Sequence, residues 1–322
     1  MFLIYTKPNC PFCVRAKTLL KSKGFAFEEV EVTDPSQLPK PEFRTVPQIV
    51  SRANGFIGGF QELEKYFAVR EVASTIPNPT VYKDTTTVFN ASNTGHLTGK
   101  YPLFLGEELG FADNINNPYP VLEKLYDQQM AQVWNHNEID LTQDRIDMVT
   151  APKEVTDLVV QNLLWQTLAD SVASRAIGSV LAQYISNSAL QDLYNSIILF
   201  ESIHSKSYLH IIRQTLVDPN DALKQGYSNL AVIKRSNVLV DTFNRLANCK
   251  NERDKQKLVL FCVIAMYLLE AGGFMNSFAV TFAVAETGLL QGIGQVVRLI
   301  CRDEMLHAQA GLVILNILKQ IS

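Results

Sequence analysis

The segment FESIHSKSYLH, residues 200–210, carries three side chains that could do chemistry together: Glu201, His204 and Tyr208. In a helix, Glu201 and His204 lie about 60° apart, and Tyr208 returns to within about 20° of Glu201. The flanking residues are mostly apolar, so this face is predicted to point into a core, where a carboxylate needs a partner. A single Glu-x-x-His pair can also be a merely hydrogen-bonded or solvated pair, so its meaning depends on whether the motif recurs.

The motif recurs in CRDEMLHAQ, which contains Glu304 and His307. Two further predicted helices each carry one acid in apolar surroundings, Asp170 in LLWQTLADSVASR and Glu270 in AMYLLEAGGF. Taken singly, each acid could be a capping or ion-paired residue. Together, two Glu-x-x-His helices and two single-carboxylate helices are the ligand set of a dimetal site in a ferritin-like four-helix bundle. Two divalent ions would offset four buried carboxylates, and oxygen and imidazole ligands suit iron or manganese.

A second chemistry is indicated by CPFC, in which Cys10 and Cys13 stand between a predicted strand and a predicted helix. Cys10 then lies at the helix N-terminus, where the helix dipole and nearby Lys7 stabilise a thiolate. This makes Cys10 the nucleophile and Cys13 the resolving thiol of a disulfide exchange. A zinc site and an inactive structural pair are the alternatives, although no second CxxC or CxxH accompanies the motif.

The length and composition of the chain limit which kinds of protein it can be. The 322 residues suffice for two domains, and a net charge of -3 without a basic block gives no nucleic-acid surface. The N-terminal apolar run is too short for a signal peptide, so a cytoplasmic location is expected. The apolar stretch from Leu258 to Ala285 raises a membrane interpretation, but Glu270 and Asn276 in its middle favour a central bundle helix.

The chain changes character along its length, and we expect three regions. Residues 1–72 alternate short strands and helices, as in an α/β thioredoxin-like domain, and residues 73–99 are rich in Ser, Thr, Asn and Pro, as in a linker or extended arm. Residues 100–322 are predicted to form an all-α ferritin-like bundle. Its expected helices span roughly 120–134, 153–185, 187–216, 222–248, 253–285 and 288–320.

The stretches YTKPNCPFC, TVPQI and GFIGGFQEL, in this order, closely resemble a glutaredoxin over the first 70 residues. The resemblance implies that Pro47 is a cis proline facing the cysteines and that Val46 offers backbone hydrogen bonds to a glutathionyl group. Glutathione is the implied reductant, and the remaining residues expected in its site are Lys7, Gly59, Phe60 and Gln61. Gln61 departs from the acidic or hydroxyl residue often found at its position.

From about residue 86 to 320 the chain resembles the radical-generating β subunit of class I ribonucleotide reductase. The matching stretches include YPLFLGEELG, QTLADS, FESIHSKSYLHIIR, LLEAGGF and VVRLICRDEMLH. The resemblance implies a dinuclear centre, iron first and manganese as the alternative, and a catalytic α subunit as partner. Tyr208 takes the place of the radical tyrosine, and Trp134 and Asp303 correspond to electron-transfer residues. The implied ligands are Asp170, Glu201, His204, Glu270, Glu304 and His307, and the implied shield of the radical is Phe274, Phe278 and Ile300.

Two departures from the family pattern shape the expected function. The segment between Tyr208 and Glu270 is shorter than the family pattern, and the chain stops 15 residues after His307, before the family's docking tail. We therefore expect a β subunit that is fused to its reductant and truncated or split at its C-terminus, and in the split case a second polypeptide supplies the remaining part. A homodimer is expected as well. The alternatives are a dimetal oxidase not coupled to ribonucleotide reduction and a non-catalytic bundle fragment with an active redox domain.

Overall fold

The structure is a computed structural model that describes residues 1–52, 55–75 and 88–321. Contacts divide the described chain into two compact units, one built mainly from residues 1–75 and one mainly from residues 99–321. Residues 76–87 of the predicted arm, which spans 73–99, lie outside the described residues. A small sheet-containing unit and a helical unit agree with the fold class predicted from the sequence.

Four short strands form one mixed sheet in the first unit: β1 (Phe2–Thr6), β2 (Phe27–Glu31), β3 (Gln48–Ser51) and β4 (Gly55–Gly58). Their order across the sheet is β2-β1-β3-β4, with β1 parallel to β2 and antiparallel to β3. Helices α1 (Pro11–Ser22) and α2 (Phe60–Thr75) complete the unit, together with 3-10 turns at Pro35–Gln37 and Pro41–Phe43. Strand β4 was not predicted, because two of its four residues are glycines, which have low strand propensity.

The second unit is helical. Its main helices are α4 (Pro120–Met130), α5 (Thr142–Thr150), α6 (Lys153–Ser179), α7 (Ser188–Thr215), α8 (Pro219–Ser228), α9 (Leu230–Ala247), α10 (Glu252–Leu268), α11 (Met275–Glu286) and α12 (Gln291–Ile321). A single helical turn, α3 (Gly95–Thr98), precedes them in the chain and is grouped by its contacts with the first unit. Short 3-10 segments lie at His136–Glu138 and Leu181–Tyr184. Two buried apolar clusters fill the unit, and one of them contains Tyr208, Phe274, Phe278 and Ile300.

Two predicted helices have different boundaries in the structure, and one helix of the structure was not predicted. The helix predicted over 153–185 ends at Ser179, and the helix predicted over 222–248 is interrupted at Asn229. The Asn229 side chain accepts hydrogen bonds from the N–H groups of Ala231 and Val232, which starts a new helix. Helix α5 was not predicted at all, since its nine residues are too few to show a clear apolar period.

The helix predicted over 253–285 contains a π-helical segment at Leu269–Phe274, between α10 and α11. The run Glu252–Glu286 is long and apolar enough to cross a membrane by length and composition alone, and an 18-residue window within it has a mean hydropathy of 2.1. Its Glu270, however, is only 2% exposed and lies among other buried acids of the bundle. The middle of the run therefore lies in the core of the helical unit.

Helix α12 is held at its N-terminus by two buried carboxylates of α5. Asp144 accepts hydrogen bonds from the N–H groups of Gly292 and Ile293, and Asp147 accepts one from Leu290. These N–H groups have no partner within the helix, so the α5 carboxylates replace water there. The contact fixes the position of the helix that carries Glu304 and His307.

Candidate metal centre and dithiol site

Six side chains that the sequence singled out meet inside the helical unit. Helix α6 contributes one, α7 two, the π-helical segment one and α12 two, in the order Asp170, Glu201, His204, Glu270, Glu304 and His307. All six are buried. Each Glu-x-x-His pair lies on one turn of helix, so the i, i+3 spacing places the carboxylate and the imidazole side by side.

The six side chains form two overlapping groups, each with ligand atoms within 4.8 Å of one another. One group contains Asp170 and His204, and the other contains Glu270 and His307. Glu201 and Glu304 belong to both groups. The arrangement can therefore hold two ions with two carboxylates shared between them.

The imidazole Nδ1 atoms face the shared carboxylates. Nδ1 of His204 lies 3.0 Å from Oε1 of Glu304, and Nδ1 of His307 lies 2.7 Å from Oε2 of Glu304 and 3.2 Å from Oε1 of Glu201. The Nδ1 atoms and carboxylate oxygens thus converge on the same small volume. This is the donor geometry that a pair of metal ions requires.

The cluster carries more acid than its own bases can balance. Within the described part of the chain, both carboxylate oxygens of Asp170 and both of Glu270 lack a hydrogen-bond partner. Burial, followed by repulsion from neighbouring carboxylates, raises the pKa of Asp170, Glu270 and Glu201. Such unpartnered buried acids are costly, and cations among them would remove the cost. The residues present therefore fit a dinuclear metal centre.

The pKa values of the two imidazoles are raised as well, which in their case favours the charged form. Burial disfavours their charged forms, but the surrounding carboxylates outweigh burial and raise the pKa of His204 to about 9 and of His307 to about 10. Burial also disfavours the charge of Glu304, yet the two histidines hold the pKa of this carboxyl below its usual range. Without cations the cluster thus holds protons that metal ions would displace.

A second layer of hydrogen bonds surrounds the two histidines. Oδ2 of Asp303 accepts a hydrogen bond from the indole N–H of Trp134 at 2.7 Å and lies 3.2 Å from Nε2 of His204. Arg302 donates to the other oxygen, Oδ1, of Asp303 at 3.0–3.1 Å. The structure thus joins Trp134 and Asp303, which the sequence singled out by resemblance only, to His204 of the Glu-x-x-His motif.

Sequence reasoning missed Gln129 on α4, whose side-chain Nε2 lies 3.0 Å from Nε2 of His307. It also missed Arg302, although Arg302 directly precedes Asp303, and the α5 carboxylates that hold α12. Gln129 is a buried polar residue on an otherwise amphipathic helix, and nothing in its local sequence distinguishes it. Its contact joins residues 178 positions apart, so only packing could reveal it.

Tyr208 is fully buried one turn after His204, and its hydroxyl has no hydrogen-bond partner among the described residues. Burial, with the nearby carboxylates, raises its pKa well above the ordinary value, so the phenol is neutral. Phe274 and Phe278 stack with ring centroids 5.8 Å apart in the same apolar cluster as Tyr208, together with Ile300. The phenol is therefore enclosed by apolar side chains and shielded from water.

In the first unit, Cys10 and Cys13 form a disulfide at the start of α1. Cys10 is the N-cap of the helix, and its sulfur accepts a hydrogen bond from the N–H of Cys13 at 3.2 Å. The Val46–Pro47 peptide bond is cis, as predicted, and the Val46 carbonyl oxygen lies 3.7 Å from the sulfur of Cys10. The predicted proline thus lies beside the dithiol.

The other residues predicted to form the glutathione site differ in their exposure to solvent. A Cβ placed on Gly59 would lie 3.7 Å from the Pro47 carbonyl oxygen, and the Gly59 N–H donates to Glu62 at 2.9 Å. Phe60 is buried at the start of α2, whereas Lys7 and Gln61 are exposed. Gly59 therefore lies beside Pro47, and Phe60 is part of the core of this unit. The side chains of Lys7 and Gln61 are accessible to a ligand from solution.

Comparison with known proteins supports two family assignments for the two units. The family model for the ribonucleotide reductase small chain matches residues 114–322, and the glutaredoxin family model matches residues 2–55. A ribonucleoside-diphosphate reductase β subunit of Salmonella typhimurium is 31% identical over 253 residues, covering 72% of this chain and 67% of the relative. The corresponding subunit of Buchnera aphidicola is 31% identical over 255 residues, covering 73% of this chain and 67% of the relative.

The fold comparison points the same way. The ribonucleotide reductase R2 subunit of Clostridium botulinum superposes with a TM-score of 0.62 at 16% identity, covering 76% of this chain and 73% of that chain. An R2-like ligand-binding oxidase also superposes, with a TM-score of 0.51 at 19% identity over 65% of this chain and 74% of that chain. At these identities the likeness shows the fold alone.

Proposed function

The chain belongs to the ribonucleotide reductase small-chain family and contains a glutaredoxin domain, and from this premise we propose that it generates and stores the oxidising radical of a ribonucleoside-diphosphate reductase. The observation that carries the proposal is the buried cluster of four carboxylates and two imidazoles beside an enclosed tyrosine. The substrate is reduced in a partner α subunit, with which β subunits of this family work.

The six cluster residues are the ones that would hold the two metal ions, and Glu201 and Glu304 belong to both ligand groups. A donor set of carboxylates and imidazoles suits iron or manganese, and we favour iron, with manganese as the alternative. When bound, the dinuclear centre supplies the one-electron oxidant for the Tyr208 phenol. Asp303 orients the His204 ring through Nε2, which directs Nδ1 toward the metal position.

Tyr208 is the proposed site of radical storage. Its phenol is neutral and its hydroxyl has no partner among the described residues, so loss of an electron must be accompanied by loss of the hydroxyl proton. The apolar enclosure by Phe274, Phe278 and Ile300 keeps water and reductants away from the oxidised ring. The enclosure therefore gives the radical its lifetime.

Radical transfer to the α subunit is proposed to use the hydrogen-bonded series His204, Asp303 and Trp134. The indole N–H donates to the Asp303 carboxylate at 2.7 Å, so Asp303 stabilises positive charge that develops on an oxidised indole. Arg302 holds Asp303 in place from the other side. Trp134 lies on the segment that follows helix α4. It is not on any of the four elements that carry the proposed ligands.

The glutaredoxin domain is proposed to reduce the disulfide that each turnover leaves in the α subunit. Cys10 attacks as the thiolate and Cys13 resolves the mixed disulfide, with glutathione as the final reductant bound near Lys7, Val46, Pro47 and Gly59. Fusion to the β subunit raises the effective concentration of the dithiol near its partner. Homodimer formation, completion by a second polypeptide, a cytoplasmic location and the predicted domain boundaries stay predictions.

The proposal is tested by loading the metal-free chain anaerobically with Fe2+, admitting oxygen and recording the EPR spectrum. We expect a tyrosyl radical that is absent in Tyr208→Phe and present in Tyr194→Phe, because Tyr194 is a buried tyrosine of the same helix in the other apolar cluster. Nucleotide reduction is then measured after addition of an α subunit. A radical that survives Tyr208→Phe would contradict the storage assignment.

The rival function is a dimetal oxidase that is not coupled to ribonucleotide reduction. The sequence similarity to β subunits extends over 72% of the chain, whereas the likeness to the oxidase concerns the fold alone. A chain that consumes oxygen but never forms a radical on Tyr208 would favour the rival.

A further inference from the structure

Two histidines outside the carboxylate cluster meet in the helical unit. The rings of His136 and His210 lie with their centroids 5.1 Å apart at an interplanar angle of 64°. For comparison, the rings of His204 and His307, which converge on the candidate dimetal centre, have centroids 5.9 Å apart. The first pair is thus at least as close as two imidazoles that can serve neighbouring ions.

Both rings are carried by ordered elements. His210 lies on α7, two residues after Tyr208, and His136 begins the 3-10 segment His136–Glu138. That segment is fixed by a capping box, in which Asn135 accepts from the Asn137 N–H at 3.0 Å and Glu138 accepts from the Asn135 N–H at 2.9 Å. Both rings therefore stand on backbone that is already fixed by hydrogen bonds, which lowers the ordering cost of binding an ion between them.

The charge state of the pair also suits a metal. Burial, followed by the neighbouring His136 and Arg213, lowers the pKa of His210, so its ring is neutral near pH 7 and has a free lone pair. Arg213 is an exposed side chain, so solvent screens its repulsion of a cation. Both rings are half-buried, which leaves them accessible to an ion from solution.

We propose that His136 and His210 form a second metal site, separate from the carboxylate cluster, that takes one Zn2+ or Cu2+ ion. Imidazoles without carboxylates prefer these borderline ions to iron or manganese, which the carboxylate-rich cluster suits. His136 follows Trp134 by two residues, so an ion held here would tie the segment that carries Trp134 to α7. Zinc or copper bound at this site would therefore restrain the segment that carries Trp134, a proposed electron-transfer residue.

Copper EPR of the full chain tests the proposal. The chain is first loaded with iron, then titrated with Cu2+, and its iron content is measured before and after. We expect a Cu2+ signal with splitting from two nitrogen nuclei, lost in His136→Gln and in His210→Gln. His96→Gln is the matched control, because His96 is the remaining histidine of the chain and belongs to neither pair.

A thermal-shift measurement with Zn2+ guards against a folding defect. Zinc should raise the melting temperature of the wild-type chain and of His96→Gln, but not of the two site variants, since only a native-state site stabilises the fold. Iron content equal to wild type shows that each variant is folded. Copper binding that is unchanged in His136→Gln and His210→Gln, or equally weakened in His96→Gln, would overturn the site, as would copper that only displaces iron.

Discussion

Loading the metal-free cluster with metal should release at least about two protons near pH 7.5, and this number follows from the charges of the site. The pKa values of His204 and His307 rise to about 9 and about 10, so both rings are protonated before metal binds. Both imidazoles must lose a proton to become ligands. Burial, followed by repulsion from neighbouring carboxylates, raises the pKa of Asp170 and of Glu270, so any proton held by these two carboxyl groups adds to the release.

The sign of the pH dependence follows from the same count. Each proton released strengthens metal binding as pH rises, so the apparent constant for binding two ions should increase by at least about two decades per pH unit near pH 7.5. Burial, followed by repulsion from Glu304, raises the pKa of Glu201, so any proton held there adds to the release. Glu304, held ionised by the two histidines, contributes none.

The assay is anaerobic titration calorimetry with Mn2+ in buffers of different ionisation enthalpy, which yields the number of protons released. His307→Gln should lower the number by about one, because it removes one of the two protonated imidazoles. Tyr208→Phe should leave the number unchanged, because the phenol is not a ligand. Release of about one proton or fewer by the wild-type chain would refute the reasoning, since the cluster would then be ionised before metal arrives.

Three further outcomes are expected. In the first unit, Cys10→Ser should abolish reduction of a glutathione mixed disulfide, whereas Cys13→Ser should keep monothiol activity; full activity of the Cys10 variant in a coupled spectrophotometric assay would reverse the assignment. Gly292→Ala should destabilise the chain by about 1–3 kcal/mol in urea unfolding, because a Cβ there would meet the Asp144 carboxylate. Gly178→Ala, whose added Cβ would lie 3.6 Å from the Ile198 side chain, should be neutral or stabilising. The metal-free chain should lose stability as pH rises from about 6.5 to about 10, because the pKa values of the two cluster histidines are raised in the fold. A melting temperature that does not change over this range would show that these rings are not charged in the folded chain.

Local spacing in the sequence was sufficient to identify the chemistry of the chain. Residues three apart share one face of a helix, so Glu201 with His204 and Glu304 with His307 could be paired before any tertiary contact was known. The strand, CPFC and helix order likewise gave the dithiol its position at a helix N-terminus. The families inferred from these stretches are confirmed, and so is the fold class.

Long-range packing decided what spacing could not. Glu201 and Glu304 belong to both ligand groups, whereas Asp170 and Glu270 each belong to one. This difference depends on how four helical elements pack together. The contact between Gln129 and His307 and the hold of α5 on the start of α12 join residues 140 or more positions apart. No local pattern encodes such partners.

The sequence by itself determined which side chains could act, because helical periodicity fixes the face on which each one lies. Only the tertiary structure decided which of them meet. The π-helical segment that carries Glu270 and the pairing of His136 with His210 illustrate the reason. Both depend on the packing of elements distant in sequence, and the free energy of that packing is shared among many residues rather than stored in any one stretch of the chain.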